Sequence, residues 1–73
     1  MPTQRVMNQK GDIRYHFNAN DAEALAKAEA RFEQLTGKGF TAAVRTKRGE
    51  VNRISSFDPS AEETVFFPRL IGG

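Results

Sequence analysis

The sequence predicts an α+β fold of two layers, in which one long helix covers a mixed β-sheet. Three observations lead to this prediction. A chain of 73 residues has room for one small domain. One alanine-rich segment has helical periodicity, and short segments with alternating apolar residues precede and follow it. The predicted order is strand, strand, helix, strand, strand, strand, and the helix must bury its apolar stripe against the sheet.

The first two strands are predicted to form a hairpin. Residues 3–8 are followed by turn-forming residues at 9–12, and residues 13–17 alternate between apolar and polar side chains. Successive side chains point to opposite sides of a strand. The side chains expected to face the core are therefore Ile13, Tyr15 and Phe17. The residues between them, Arg14 and His16, are expected to face water.

Residues 18–37 predict the helix. Asn20 is the expected N-cap, with Glu23 three residues later completing a pair of the capping-box type. Alanine-rich filling keeps the helix propensity high. The stripe that packs on the sheet is predicted to contain Leu25, Ala28, Phe32 and Leu35. Gly37 is expected to end the helix in the left-handed conformation that glycine tolerates.

The second half of the chain predicts three further strands. Residues 40–46 form the first, with alternate residues from Phe40 inward, and a basic turn at 47–50 leads to a short or bulged strand within 51–57. Residues 58–63 are predicted to form one helical turn with Asp58 as its cap. Residues 64–67 form the last strand, where Phe66 and Phe67 point to opposite faces and at least one is in the core. Pro68 cannot donate a hydrogen bond to the sheet.

Composition excludes several classes of protein. The chain has no cysteine, so it has neither disulfides nor a thiolate metal site, and we expect a cytoplasmic protein. Its start lacks the apolar segment of a signal peptide, and no run is long enough to span a membrane. The formal charge of +2 is too small to imply a nucleic-acid ligand by itself.

The sequence does not predict an enzyme, a metal site or a cofactor. His16 is the sole histidine and has no second ligand at a metal-binding spacing. Ser55 and Ser56 have no glycine elbow and no assignable base. Glu62 and Glu63 are adjacent, so their carboxylates point apart on a helical turn. The glycines at 37, 39 and 49 are too scattered for a phosphate-binding loop.

The order of elements resembles the β-grasp fold of ubiquitin-like proteins and sulfur carriers over nearly the whole chain. The last strand is followed by a short segment that also resembles the family's free tail. That tail comprises Arg69, Leu70, Ile71, Gly72 and Gly73. Two features depart from the family pattern: Pro68 stands where the family continues its last strand, and Ile71 replaces the second arginine of ubiquitin's tail.

The resemblance implies a globular domain at 1–68 and a flexible tail at 69–73. In this interpretation Gly73 supplies a reacting carboxylate, and Gly72 lets the backbone enter a narrow channel. The tail residues Arg69, Leu70 and Ile71 would form the handle that a partner grips. The implied function is that of a modifier or sulfur carrier, activated by an adenylating partner enzyme and not itself a catalyst.

Two alternatives stay open. Residues 57–59, 61–63 and 72–73 are similar to features of small phage and mobile-element proteins, which implies an accessory protein-protein interaction module without C-terminal chemistry. A basic cluster around the second hairpin could instead contact nucleic acid, although a solvated turn explains it more simply. The residues of this cluster are Arg45, Lys47, Arg48 and Arg53. We expect a monomer with a protein partner and neither a membrane nor a nucleic acid.

Overall fold

The computed structural model describes residues 1–68. Within this range the chain forms five strands and one helix, which confirms the predicted α+β class. They are β1 (Thr3–Asn8), β2 (Gly11–His16), α1 (Ala22–Gly37), β3 (Phe40–Arg45), β4 (Val51–Ile54) and β5 (Glu63–Pro68). The strands form one mixed sheet, and α1 packs on one of its faces.

The spatial order of the strands is β2-β1-β5-β3-β4. Each predicted hairpin is present, with β1 antiparallel to β2 and β3 antiparallel to β4. The last strand lies between the two hairpins, parallel to β1 and antiparallel to β3. The centre of the sheet is therefore formed by residues from opposite ends of the described chain.

The helix begins one residue later than predicted. Asp21 is the N-cap, and its Oδ1 accepts hydrogen bonds from the backbone N–H groups of Glu23 at 3.0 Å and Ala24 at 3.4 Å. The prediction of Asn20 as cap was wrong because aspartate and asparagine cap equally well, and the local sequence offers both. Asn20 instead donates its N–H to the side-chain oxygen of Asn18.

The end of the helix also differs from the prediction. Gly37 is the last helical residue, and the N–H of Lys38 donates to the carbonyl oxygens of Gln34 and Leu35. The left-handed residue is Gly39, with φ of 99°, and its N–H donates to the carbonyl of Thr36. Gly39, not Gly37, therefore reverses the chain toward β3.

The core lies between α1 and the central strands. Its buried cluster consists of Val6, Phe32, Ala42 and Phe66, with Tyr15, Leu35, Phe40, Ile54 and Phe57 packed around it. Phe32 meets Phe66 edge-on, with ring centroids 5.6 Å apart. The predicted helical stripe is confirmed, since Ala28 and Phe32 are both buried. Phe67 is half-buried on the other face of the sheet, as the alternation predicted.

The prediction that Ile13 faces the core was wrong, because its side chain is 48% exposed. Ile13 lies on the helix side of the sheet, opposite buried Val6, but β2 is an edge strand. The helix contacts β2 at Tyr15, where the Arg31 guanidinium carbon lies 3.9 Å from the ring centroid. Phe17, which follows β2, is buried as predicted.

Residues 58–63 do not form the predicted helical turn. The Asp58 carboxylate accepts hydrogen bonds from the Ser60 N–H at 2.9 Å and the Ser60 hydroxyl at 2.6 Å. The N–H of Ala61 donates to the Asp58 carbonyl at 3.3 Å, which closes a tight turn. Aspartate before proline favours both a helix cap and such a turn, and here β5 begins too soon for a helix.

Candidate functional site

The face of the sheet opposite α1, here called the open face, carries the most distinctive surface of the described chain. Directly opposed residues on neighbouring strands point to the same side of a sheet, so the pairing registers assign each side chain to a face. One row across the open face contains Arg14, Arg5, Val65, Ala43 and Arg53. The adjacent row contains His16, Thr3, Glu63, Arg45 and Val51.

The centre of the open face is apolar and is largely covered by neighbouring side chains. Val65 and Ala43 are only 8% and 1% exposed, although α1 lies on the other side of the sheet. The Arg5 side chain is 21% exposed, so most of it lies against the surface. Arginine stems commonly cover apolar surface while keeping the charged group near water. The arginine side chains therefore form the outer surface of this face, above its apolar centre.

Two carboxylates partly neutralise the open face. Arg45 Nε lies 3.5 Å from Glu63 Oε1, and Arg14 Nη2 lies 3.6 Å from Asp12 Oδ2. A longer contact of 4.0 Å joins Arg5 Nε to the same oxygen of Asp12. Four arginines face two carboxylates, which leaves a formal excess of two positive charges on the face.

Two buried polar atoms on the open face have no hydrogen-bond partner within residues 1–68. They are Arg5 Nε and Glu63 Oε1. A buried donor or acceptor without a partner costs free energy. Each of these atoms lies near an opposite charge, since Arg45 Nε is 3.5 Å from Glu63 Oε1 and Asp12 Oδ2 is 4.0 Å from Arg5 Nε.

The structure divides the basic cluster predicted from the sequence. Arg45 and Arg53 lie on the open face, whereas Lys47 and Arg48 lie in the exposed turn between β3 and β4. Arg5 and Arg14 join the face from the first hairpin, and sequence reasoning did not select them as site residues. The alternation of polar residues at 3, 5, 12 and 14 marks a solvent face, but only the strand order brings it beside the second hairpin.

A groove of about 710 Å³ lies at one end of the sheet, beside the turn after β3 and the segment before β5. Its charged lining residues are Arg45, Lys47, Asp58, Glu62 and Glu63. Hydrogen bonds from the side chain and backbone of Ser60 lower the pKa of Asp58, so this carboxylate is ionised at neutral pH. A mixed lining of this kind favours no single ligand charge.

His16, the sole histidine of the chain, forms a surface contact with Thr3. His16 Nδ1 lies 2.9 Å from the hydroxyl of Thr3, with both residues at the surface. Within residues 1–68, no three His, Asp or Glu side chains lie close enough together to hold a metal ion. Among the described residues, the 16-residue helix α1 lacks the length and the apolar character that a membrane span requires.

The sequence prediction for the tail lies outside the described residues. Arg69, Leu70 and Ile71 as a partner handle, and Gly72 and Gly73 as the reacting end, thus remain predictions. Comparison with protein families, with curated proteins and with solved structures gives no match.

Proposed function

We propose that this chain is a ubiquitin-like domain of the β-grasp type that serves as a protein modifier or sulfur carrier through Gly72 and Gly73. The observation that carries the proposal is the position of β5. The strand that leads into the tail is paired on both sides, with β1 and with β3. The strand order, with a parallel central pair and a helix between two hairpins, resembles the β-grasp pattern.

The central position of β5 suits a tail that a partner enzyme handles. β5 pairs with β3 as far as Pro68 and with β1 as far as Phe66, so tension on the residues after the strand acts against two hydrogen-bonded ladders. Phe66, fully buried beside Phe32, anchors the same strand in the core. A partner enzyme could thus bind and release the five residues after Pro68 while the domain stays folded.

The proposed chemistry needs only a terminal carboxylate and an activating enzyme. A carboxylate oxygen of Gly73 attacks the α-phosphorus of ATP held by that enzyme, forming an acyl adenylate and releasing pyrophosphate. A sulfur nucleophile then attacks the acyl carbon, and AMP leaves with the bonding electron pair. Glycine at 72 and 73 lets the backbone approach the nucleotide without a side-chain clash.

Intact-protein mass spectrometry of the chain from its native host tests this proposal. We expect a fraction with an oxygen replaced by sulfur, with an adenylate or with a linked protein, in every case located at Gly73. A chain with both glycines changed to alanine keeps the length and should lose the adduct. The proposal fails if the native chain continues beyond Gly73, or if no adduct forms when the neighbouring genes are also expressed.

A protein-protein interaction module without C-terminal chemistry is the second candidate, and the arginine row on the open face favours it. In that case, deleting Gly72 and Gly73 leaves partner binding unchanged. Arg53→Glu weakens binding, because it reverses one charge of the row. Lys47→Glu, in the exposed turn, is the matched control and should have a smaller effect.

A further inference from the structure

The outer edge of β2 is a short, regular and chemically self-complementary surface. Within residues 1–68 β2 pairs on one side only, with β1, and its register with β1 runs without a bulge from Gly11 to His16. It contains no proline. Proteins commonly block exposed edges with prolines, bulges or charged side chains, because a regular edge offers free N–H and C=O groups to another strand; β2 carries charges of both signs.

The hydrogen-bond pattern shows which residues of β2 point outward. The N–H of Phe17 donates to the carbonyl of Pro2, so residues 2 and 17 form a hydrogen-bonded pair. In an antiparallel ladder such pairs alternate with pairs that are not hydrogen-bonded. Ile13 and Tyr15 therefore direct their backbone groups toward β1, while Asp12, Arg14 and His16 direct theirs toward the open edge.

We propose that two copies of this chain associate through antiparallel pairing of their β2 strands, centred on Ile13. In this register Ile13 lies opposite Ile13 of the second copy. Asp12 lies opposite Arg14 of the second copy, and twofold symmetry repeats that pair. Both residues of the pair direct their backbone groups outward, so they exchange hydrogen bonds across the interface.

Charge selects this register over its neighbours. The outward hydrogen-bonding residues have even numbers, so the allowed centres near the middle of the strand are 12, 13, 14 and 15. Pairing centred on Asp12 opposes two aspartates, and pairing centred on Arg14 opposes two arginines. Pairing centred on Tyr15 places Arg14 opposite His16, so Arg14 has no carboxylate opposite it. Only the register centred on Ile13 opposes Asp12 and Arg14, and directly opposed like charges destabilise a sheet.

The same register buries the apolar side chain that the monomer leaves open. Ile13 is 48% exposed at the middle of the edge. Ile13 and its copy across the twofold axis form a non-hydrogen-bonded pair, the type of pair in which side chains approach most closely. On the same side of the sheet, Tyr15 lies opposite Gly11 of the second copy, so the ring meets no competing side chain. The proposed dimer differs from the monomer expected from the sequence. The inference does not rest on the proposed function.

Pairing between two six-residue strands is a small interface, below the standard size of about 1,600 Å². We therefore expect a weak dimer whose population grows with protein concentration. Exposed charge pairs contribute to it, so added salt should raise its Kd.

A charge swap tests the register. With Asp12→Arg, an arginine faces Arg14 of the second copy in both symmetry-related pairs. We expect sedimentation equilibrium to show that the Kd of the dimer rises by about tenfold or more. The double change Asp12→Arg with Arg14→Asp restores opposite charges and should recover dimerisation. It also places aspartate opposite Arg5 within the monomer. Thermal unfolding of each variant checks that the domain is folded. The proposal fails if the wild type remains monomeric at every concentration or if the swap does not recover dimerisation.

A cross-link tests the axis independently. The chain has no cysteine, so Ile13→Cys introduces a single thiol. In a non-hydrogen-bonded pair the Cα atoms are about 4.5 Å apart, within the range of about 4.4 to 6.8 Å that a disulfide allows. Val51→Cys is the matched control, because Val51 is 57% exposed on the opposite edge strand. We expect mild oxidation to dimerise the Ile13→Cys chain much faster, and equal rates would overturn the proposal.

Discussion

Replacing Gln4 by methionine should reveal a buried polar connection between the sheet and the helix. Gln4 is fully buried in β1. Its Nε2 donates to the carbonyl of Ala28 at 2.9 Å, and its Oε1 accepts from Arg31 Nη1 at 2.9 Å. Arg31 in turn stacks on Tyr15 of β2. One side chain of the central sheet thus contacts two positions on α1, and methionine fills a similar volume without forming either hydrogen bond.

The expected loss of stability in Gln4→Met follows from the two hydrogen bonds of the Gln4 side chain. A neutral hydrogen bond contributes about 1 kcal/mol to stability, and one to a charged group contributes about 1.5 to 3 kcal/mol. Arg31 is only half-buried, so water can solvate part of its guanidinium when Gln4 is removed. We therefore expect Gln4→Met to lower the free energy of unfolding by about 2 kcal/mol. A chain of 73 residues has a total stability of roughly 4 to 11 kcal/mol, so the loss is substantial.

Urea unfolding followed by circular dichroism measures this change, and a double-mutant cycle with Arg31→Met isolates the contact between the two side chains. We expect an interaction energy of about 1 kcal/mol between positions 4 and 31. The midpoint of thermal unfolding should fall by roughly 4 to 8 °C for each kcal/mol lost. A loss below about 0.5 kcal/mol, or additive effects in the cycle, would show that the buried hydrogen bonds do not stabilise the fold.

Three further predictions concern the core, the end of the helix and the turn before β5. Phe66→Ala should lower the free energy of unfolding by about 3 to 5 kcal/mol, because Phe66 is fully buried. Urea unfolding measures this loss. A loss under about 1 kcal/mol, which is about the average for any substitution, would contradict the place of Phe66 in the core. Gly39→Ala should lower the free energy of unfolding by about 1 kcal/mol, because φ at this residue is 99°. Gly37→Ala, within the helix, should raise it by about 0.5 to 1 kcal/mol. Effects of the same sign would refute the assignment of Gly39 as the left-handed residue. Ser60→Ala should raise the pKa of Asp58 toward its ordinary value, as followed by NMR titration of the carboxyl group. Because folding lowers that pKa, the stability from this turn is present above the ordinary value and is lost as pH falls through the folded value; an unchanged pKa in the variant would contradict the assigned hydrogen bonds.

Local sequence signals were sufficient for most elements and for part of the candidate site. The helical stripe of Ala28 and Phe32 and the opposite orientation of Phe66 and Phe67 follow from periodicity within one segment. Arg45 was likewise recognisable from its own hairpin. These features depend on residues close together in the chain, where spacing alone determines which side chains share a face.

The caps and turns were less predictable because several local solutions have similar free energies. Asn20 and Asp21 are equally good caps by residue type, and Asp21 is the residue that caps α1. Asp58 suits either a helical turn or a tight turn, and the start of β5 decides between them. Differences of a few tenths of a kcal/mol at such sites are settled by packing elsewhere.

Propensity and periodicity act over a few residues, so the sequence is enough to predict that a helix and strands form and approximately where each lies. The place of β5 between β1 and β3, the burial of Gln4 and the exposure of Ile13 at an edge become visible only in the folded sheet. Pairing between distant segments depends on the free energy of the whole packed sheet, which no local pattern encodes. The same long-range pairing brings Arg5 and Arg53 onto one face.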